Sequence, residues 1–117
     1  VNAEDIKKRT KAFALRVISL VDSLPKGMTA NVIGRQLLRC GTSVGANYRA
    51  ACRAKSQADF IAKMGIVEEE ADECLYWMEL LIEARIVGLK KLEPLMKEAD
   101  ELLAITVASI KTARKTK

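Results

Sequence analysis

The chain has 117 residues, half of them apolar and 30% charged, with a net charge of +5 and no histidine. That length suffices for one domain with its own core, and the Leu-, Ala-, Lys- and Glu-rich composition suits a helical protein. Without histidine there is no Cys–His or Ser–His–Asp nucleophile system, so an enzyme is not expected.

Four segments carry helical periodicity, and together they predict a single domain over residues 1–117. In the first, over about residues 3–24, Ile6, Thr10, Phe13, Val17, Leu20 and Leu24 step by four and three along one face. Pro25-Lys26-Gly27 should end it, because proline disfavours helix in the residue before it. The second helix is expected over residues 30–54, with Thr29 or Asn31 as its cap.

That second helix carries three rows at about 100° per residue. Arg35, Arg39, Arg49 and Arg53 share one side; Gly34, Gly41, Gly45 and Cys52 form another; Ile33, Leu37, Cys40, Val44 and Ala51 form a third. The glycines lack the G-x-x-x-x-G-K pattern of a phosphate loop. Their spacing instead suits close approach of another helix, at a propensity cost of about 1 kcal/mol each. Ser43 and Asn47, one turn apart, could hydrogen-bond across that helix junction.

Ser56, followed by Asp59, reads as the cap of a third helix over residues 57–86, which Gly88 should end. Phe60, Met64, Val67, Ala71, Cys74, Met78 and Leu81 make its core seam. Ile66, Trp77 and Leu80 group away from that seam, a second apolar patch that reads as an oligomer interface or as ordinary exposure. The fourth helix is expected over residues 92–113, with Pro94 in its first turn, a seam of Met96, Ala99, Leu103, Thr106, Ile110 and Ala113, and a basic tail at 114–117. Short connections between long helices predict an all-α, antiparallel up-down-up-down bundle.

Charge is unevenly spread. Residues 1–55 are net +8, residues 56–86 net −6 and residues 87–117 net +3. Arg35, Arg39, Arg49 and Arg53, with Lys111, Arg114 and Lys115, therefore form a candidate phosphate-binding surface for RNA or DNA. The alternative pairs the arginines with Glu68, Asp72, Glu79 and Glu83, making the chain a protein-interaction module. The basic tail would then only complement a helix C-terminus. Aromatic residues for base stacking are few.

Cys40, Cys52 and Cys74 lack paired ligand spacing and read as buried, reduced thiols. The acidic run from Glu68 to Glu73 cannot supply the Glu-x-x-His pairs of a di-iron bundle. A weak magnesium or manganese site centred on Glu69 and Glu73 is the alternative to salt-bridged glutamates, and no metal or cofactor is expected. No apolar run reaches the roughly 20 residues needed to span a bilayer, and no leader-like segment opens at Val1. A cytoplasmic protein without membrane contact is the expectation.

Gln36-Leu37 and Arg39, then Ser43, Asn47, Ser56 and Phe60, then Gly65 with Glu69, resemble the bacterial four-helix-bundle family of 23S ribosomal RNA intervening-sequence proteins. That family is in turn similar to the accessory variability protein of diversity-generating retroelements. The resemblance is densest over residues 33–82. It implies a barrel-like, ring-forming homo-oligomer, typically a pentamer. For the retroelement relatives it also implies a basic nucleic-acid-binding surface and a reverse transcriptase partner. Many relatives have no established activity. After Asn47 the chain departs from the pattern: Tyr48-Arg49-Ala50-Ala51 stands where Asn-Ile-Ala-Glu-Gly is frequent, and Arg49 makes this helix more basic. The expected role is a non-enzymatic oligomeric scaffold that binds nucleic acid.

Overall fold

The computed structural model describes residues 2–115. They form four α-helices, α1 (Ala3–Asp22), α2 (Met28–Cys52), α3 (Gln57–Glu83) and α4 (Leu89–Lys115), with no strand among the described residues.

The ends of these helices follow local chemistry. Asn2 caps α1 by accepting from the Asp5 amide at 3.0 Å, and Ser56 caps α3 by accepting from the Asp59 amide at 3.0 Å. Helix α2 begins earlier than expected. Its cap is neither Thr29 nor Asn31 but Gly27, whose backbone, at φ 144° and ψ 158°, is in a region essentially reserved for glycine. Helices α1 and α2 stop two residues short of their expected ends, at Asp22 and Cys52.

Helix α3 ends at Glu83 rather than residue 86, and Gly88 is not its terminator. Arg85 takes the left-handed conformation at φ 62°, donating to the Ile82 carbonyl, while the Ile86 amide donates to Leu81, both at 2.9 Å. This is a Schellman closure, with arginine where glycine is usual. Helix α4 starts at Leu89, so Pro94 lies inside it rather than in its first turn. At its other end, Arg114 and Lys115 belong to its last turn instead of a tail, and Thr116 and Lys117 lie outside the described residues.

The described chain measures 49 × 21 × 20 Å, two helix diameters across in both short directions. Packing is extensive for α1 with α2, α2 with α3 and α3 with α4, and slighter for α1 with α4. A Cβ placed on Gly34, Gly41 or Gly45 would meet Leu24, Val17 or Thr10 respectively, at 3.0, 2.7 and 3.1 Å. The glycine row thus lies against α1. Between α1 and α4, Arg9 reaches Glu98 at 2.7 Å and Glu101 at 2.9 Å, while Lys91 reaches Ser23 at 3.1 Å.

The core runs the length of the molecule through Phe13, Val17, Leu37, Val44, Met64, Met78, Leu81 and Leu92. In α4 the expected Ala99, Thr106 and Ile110 are buried, but Leu95 and Leu102 take the buried places expected of Met96 and Leu103, which are only partly buried. The hydroxyls of buried Thr10 and Thr106 bond back to the Lys7 and Leu102 carbonyls, at 3.1 and 2.8 Å. Cys40 and Cys74 are buried with their sulfurs 3.3 Å apart, but Cys52, the last residue of α2, is exposed and departs from the expected buried thiol.

Candidate nucleic-acid interface

The arginine stripe of α2 divides into three environments. Arg39 is held within the subunit: Nη1 donates to both Glu70 carboxylate oxygens at 3.0 Å, and Nη2 donates to Glu73 at 2.6 Å. Glu70 is buried, so removing Arg39 would strand a carboxylate in the protein. Arg39 therefore does not stand free for phosphate. The internal pairing uses Glu70 and Glu73, not the expected Glu68, Asp72, Glu79 and Glu83, because these two carboxylates sit on the α2-facing side of α3.

Arg35, Arg49 and Arg53 are exposed, and among the described residues none of them makes an ion pair. Arg35 lies near the start of α2, beside the turn at residues 25–27. It is about 21 Å along the helix from Arg49, at 1.5 Å per residue. Arg49 lines a groove between α1 and α2 with Glu4, Lys7, Lys8 and Lys11, and Lys7 pairs with Glu4 at 3.3 Å; the three lysines were not singled out by sequence reasoning. Their signal was the +8 charge of residues 1–55, but joining them to Arg49 required knowing that α1 begins where α2 ends.

The end of α4 reaches the same pole. A hollow lined by Ala3, Ile6, Tyr48, Phe60, Ile105 and Ala113 gathers the starts of α1 and α3 with the ends of α2 and α4, and Gln57 donates to the Ala113 carbonyl. Exposed Lys111, Arg114 and Lys115 thus stand at the end of the molecule that carries Arg49 and Arg53. Burial pushes the Tyr48 phenol up to about 12, and the exposed cations stand around this buried ring. Such an array can neutralise successive phosphates without reading bases.

Other expected residues fall elsewhere. Asn47 Nδ2 donates to the Ser43 carbonyl and hydroxyl, at 2.9 and 2.8 Å, inside α2 rather than across a helix junction. Of the apolar patch, Ile66 is exposed, whereas Trp77 and Leu80 are partly buried against the core. The Trp77 ring donates Nε1–H to Glu73 at 2.9 Å. Arg39 first, and this indole second, hold the Glu73 carboxyl below the usual carboxylate range. A carboxylate that already accepts from a guanidinium and an indole is poorly placed to ligate a cation beside Glu69, and the described residues contain no cluster of three or more carboxylate or thiol side chains able to hold a metal ion. Among the described residues no helix is long and apolar enough to cross a membrane.

Comparison with known proteins accords with this architecture. The family model described as 23S rRNA-intervening sequence protein matches residues 3–108. A crystal structure from Bacteroides thetaiotaomicron, of a protein with unknown function from the S23 ribosomal protein family, superposes with a TM-score of 0.88. It is 35% identical, and the match covers 95% of this chain and 99% of that one. Among curated proteins, none matches.

Proposed function

The chain belongs to the 23S rRNA-intervening sequence protein family, and from that premise we propose that it is a non-enzymatic, self-associating scaffold that binds RNA through its basic pole. The observation that carries this reading is the gathering of Arg49, Arg53, Lys111, Arg114 and Lys115 at one end of the molecule, all exposed. The scaffold is an up-down-up-down bundle. Supporting this, partners of α2 in α1 run from Leu24 back to Thr10 as α2 advances from Gly34 to Gly45. The Arg9–Glu98 and Ser23–Lys91 contacts step oppositely in the same way.

Binding of this kind is electrostatic and salt-dependent, with arginine forks matching phosphate oxygens. Copies arranged in a closed ring would present the pole repeatedly. The test is fluorescence anisotropy of labelled structured RNA, duplex DNA and single-stranded DNA at several salt concentrations. Arg49→Glu/Arg53→Glu should weaken binding to all ligands and lower the logarithmic salt slope by about 1 per lost phosphate contact. Wild-type protein that binds none of them at low salt would refute the reading, and the pole would then serve a protein partner.

A further inference from the structure

The close approach that the glycine row permits leaves a shallow channel along the outer seam of α1 and α2. One stretch, of about 720 Å³, is lined by Val21, Met28, Gly34, Arg35 and Leu38; another, of about 500 Å³, by Lys11, Ala14, Thr42 and Gly45, ending at Glu4 and at Arg49 of the basic pole. Ile18, one turn from both Ala14 and Val21, continues the α1 wall between them. Aliphatic side chains stand open along this seam: Met28 is 84% exposed, with Ile18 and Leu38 also exposed. Lys11 and Arg35 flank them without an ion pair among the described residues.

The outer face of α3 has the complementary chemistry. Glu69, Asp72 and Glu83 are exposed and make no ion pair among the described residues, and Ile66 and Tyr76 stand among them, 43% and 54% exposed. Tyr76 packs edge-on against Trp77 with ring centroids 5.1 Å apart, and Trp77 is itself anchored on Glu73. The result is an ordered aromatic knob, of the residue types enriched at interface centres, flanked by an acidic stripe. At 27 residues, α3 is about 40 Å long, comparable with the 49 Å length of the molecule along which the channel runs. Nucleic acid would neutralise the cations of the channel but leave its aliphatic walls uncovered, since no aromatic ring lines either stretch for stacking. An occupant that is both acidic and apolar covers both.

We propose that the outer face of α3 from one copy seats in the α1–α2 channel of the next. This rests on the self-association proposed above and adds the two surfaces that meet. Such a contact is heterologous, and repeating it closes a ring if the rotation permits.

The test uses two charge-reversed chains, Lys11→Glu/Arg35→Glu and Glu69→Lys/Asp72→Lys, with mass read by sedimentation equilibrium and folding by circular dichroism. Each alone should fall to monomer while keeping its helix content. A chain carrying all four reversals should regain the wild-type mass, because every reversed channel then meets a reversed α3 face whatever the number of copies in the ring. Tyr76→Ala, which changes no charge, should raise the dissociation constant about tenfold or more. Doubly reversed chains that keep the wild-type mass, or a fourfold-reversed chain that is helical but stays monomeric, would overturn this contact while leaving self-association intact. A wild-type chain that is monomeric at every concentration would overturn both.

Discussion

Gly41 sets the separation of α1 from α2, since a Cβ there would lie 2.7 and 2.9 Å from the two γ-methyls of Val17. Alanine gains about 1 kcal/mol of helix propensity at such a site, against about 1–3 kcal/mol for overpacking a close-packed seam. Val17 is wholly buried and has no room to retreat, so Gly41→Ala should lower stability in urea titration, and Val17→Ala should cost less in that chain than in the wild type because it relieves the clash. Gly65 has nothing within 4 Å of its Cβ position, so Gly65→Ala should instead stabilise by about 0.5–1 kcal/mol. Opposite signs at two helical glycines separate close approach from mere tolerance. The Arg39 cluster answers to pH. In the folded chain Glu73 titrates below its ordinary range because of Arg39 first and Trp77 second. Its contribution is therefore present above the unfolded carboxylate value, about 4.3, and is lost as pH falls through the lower folded value. Arg39→Met should be less stable than wild type at pH 7, with the gap narrowing below about pH 4. A gap constant from neutral to acid would exclude the pairing as its source.

At the scale of the helices, the unexpected element is the end of α3. Arg85 sits in the left-handed region, where a side chain costs about 1–2 kcal/mol relative to ordinary backbone. Arg85→Gly should therefore raise the midpoint of thermal unfolding, whereas Gly88→Ala, at a residue with no positive φ and an open Cβ position, should leave it nearly unchanged. If Gly88→Ala were the costly change, the closure described here would be wrong. This element also shows what was legible in the sequence. The four helices were, because Phe13, Val17, Val44, Val67 and Met78 keep a period that only a buried helix face requires. Their ends were less so, because Arg85 closes α3 through tertiary packing of the following residues and carries no glycine signal. The glycine row could be read as a place of close approach, but which helix approaches depends on the register of α1. The arginine stripe misled for a related reason: a wheel places Arg39 with Arg35 and Arg49, while Glu70 and Glu73 lie on another helix and capture it.

For the whole molecule, the basic pole and the acidic face of α3 are separate surfaces, and their separation gives a test in which electrostatics and assembly push in opposite directions. Glu69→Lys/Asp72→Lys makes the chain four charges more positive, so if phosphate affinity followed net charge alone, RNA would bind this variant more tightly. If the α3 face instead joins copies, the same change leaves single poles, and a long RNA that bridges several of them loses its multivalent gain, of order 10²–10⁴ in favourable geometry. The variant should therefore bind a long structured RNA more weakly than wild type, by tenfold or more. A short oligonucleotide that spans one pole should bind about equally well or slightly better, because the pole itself is untouched. Anisotropy with the two lengths side by side reads the difference directly. Tighter binding of both lengths would mean that assembly contributes nothing to RNA affinity and that net charge governs it. Weaker binding of both would mean that Glu69 and Asp72 influence the pole within one copy.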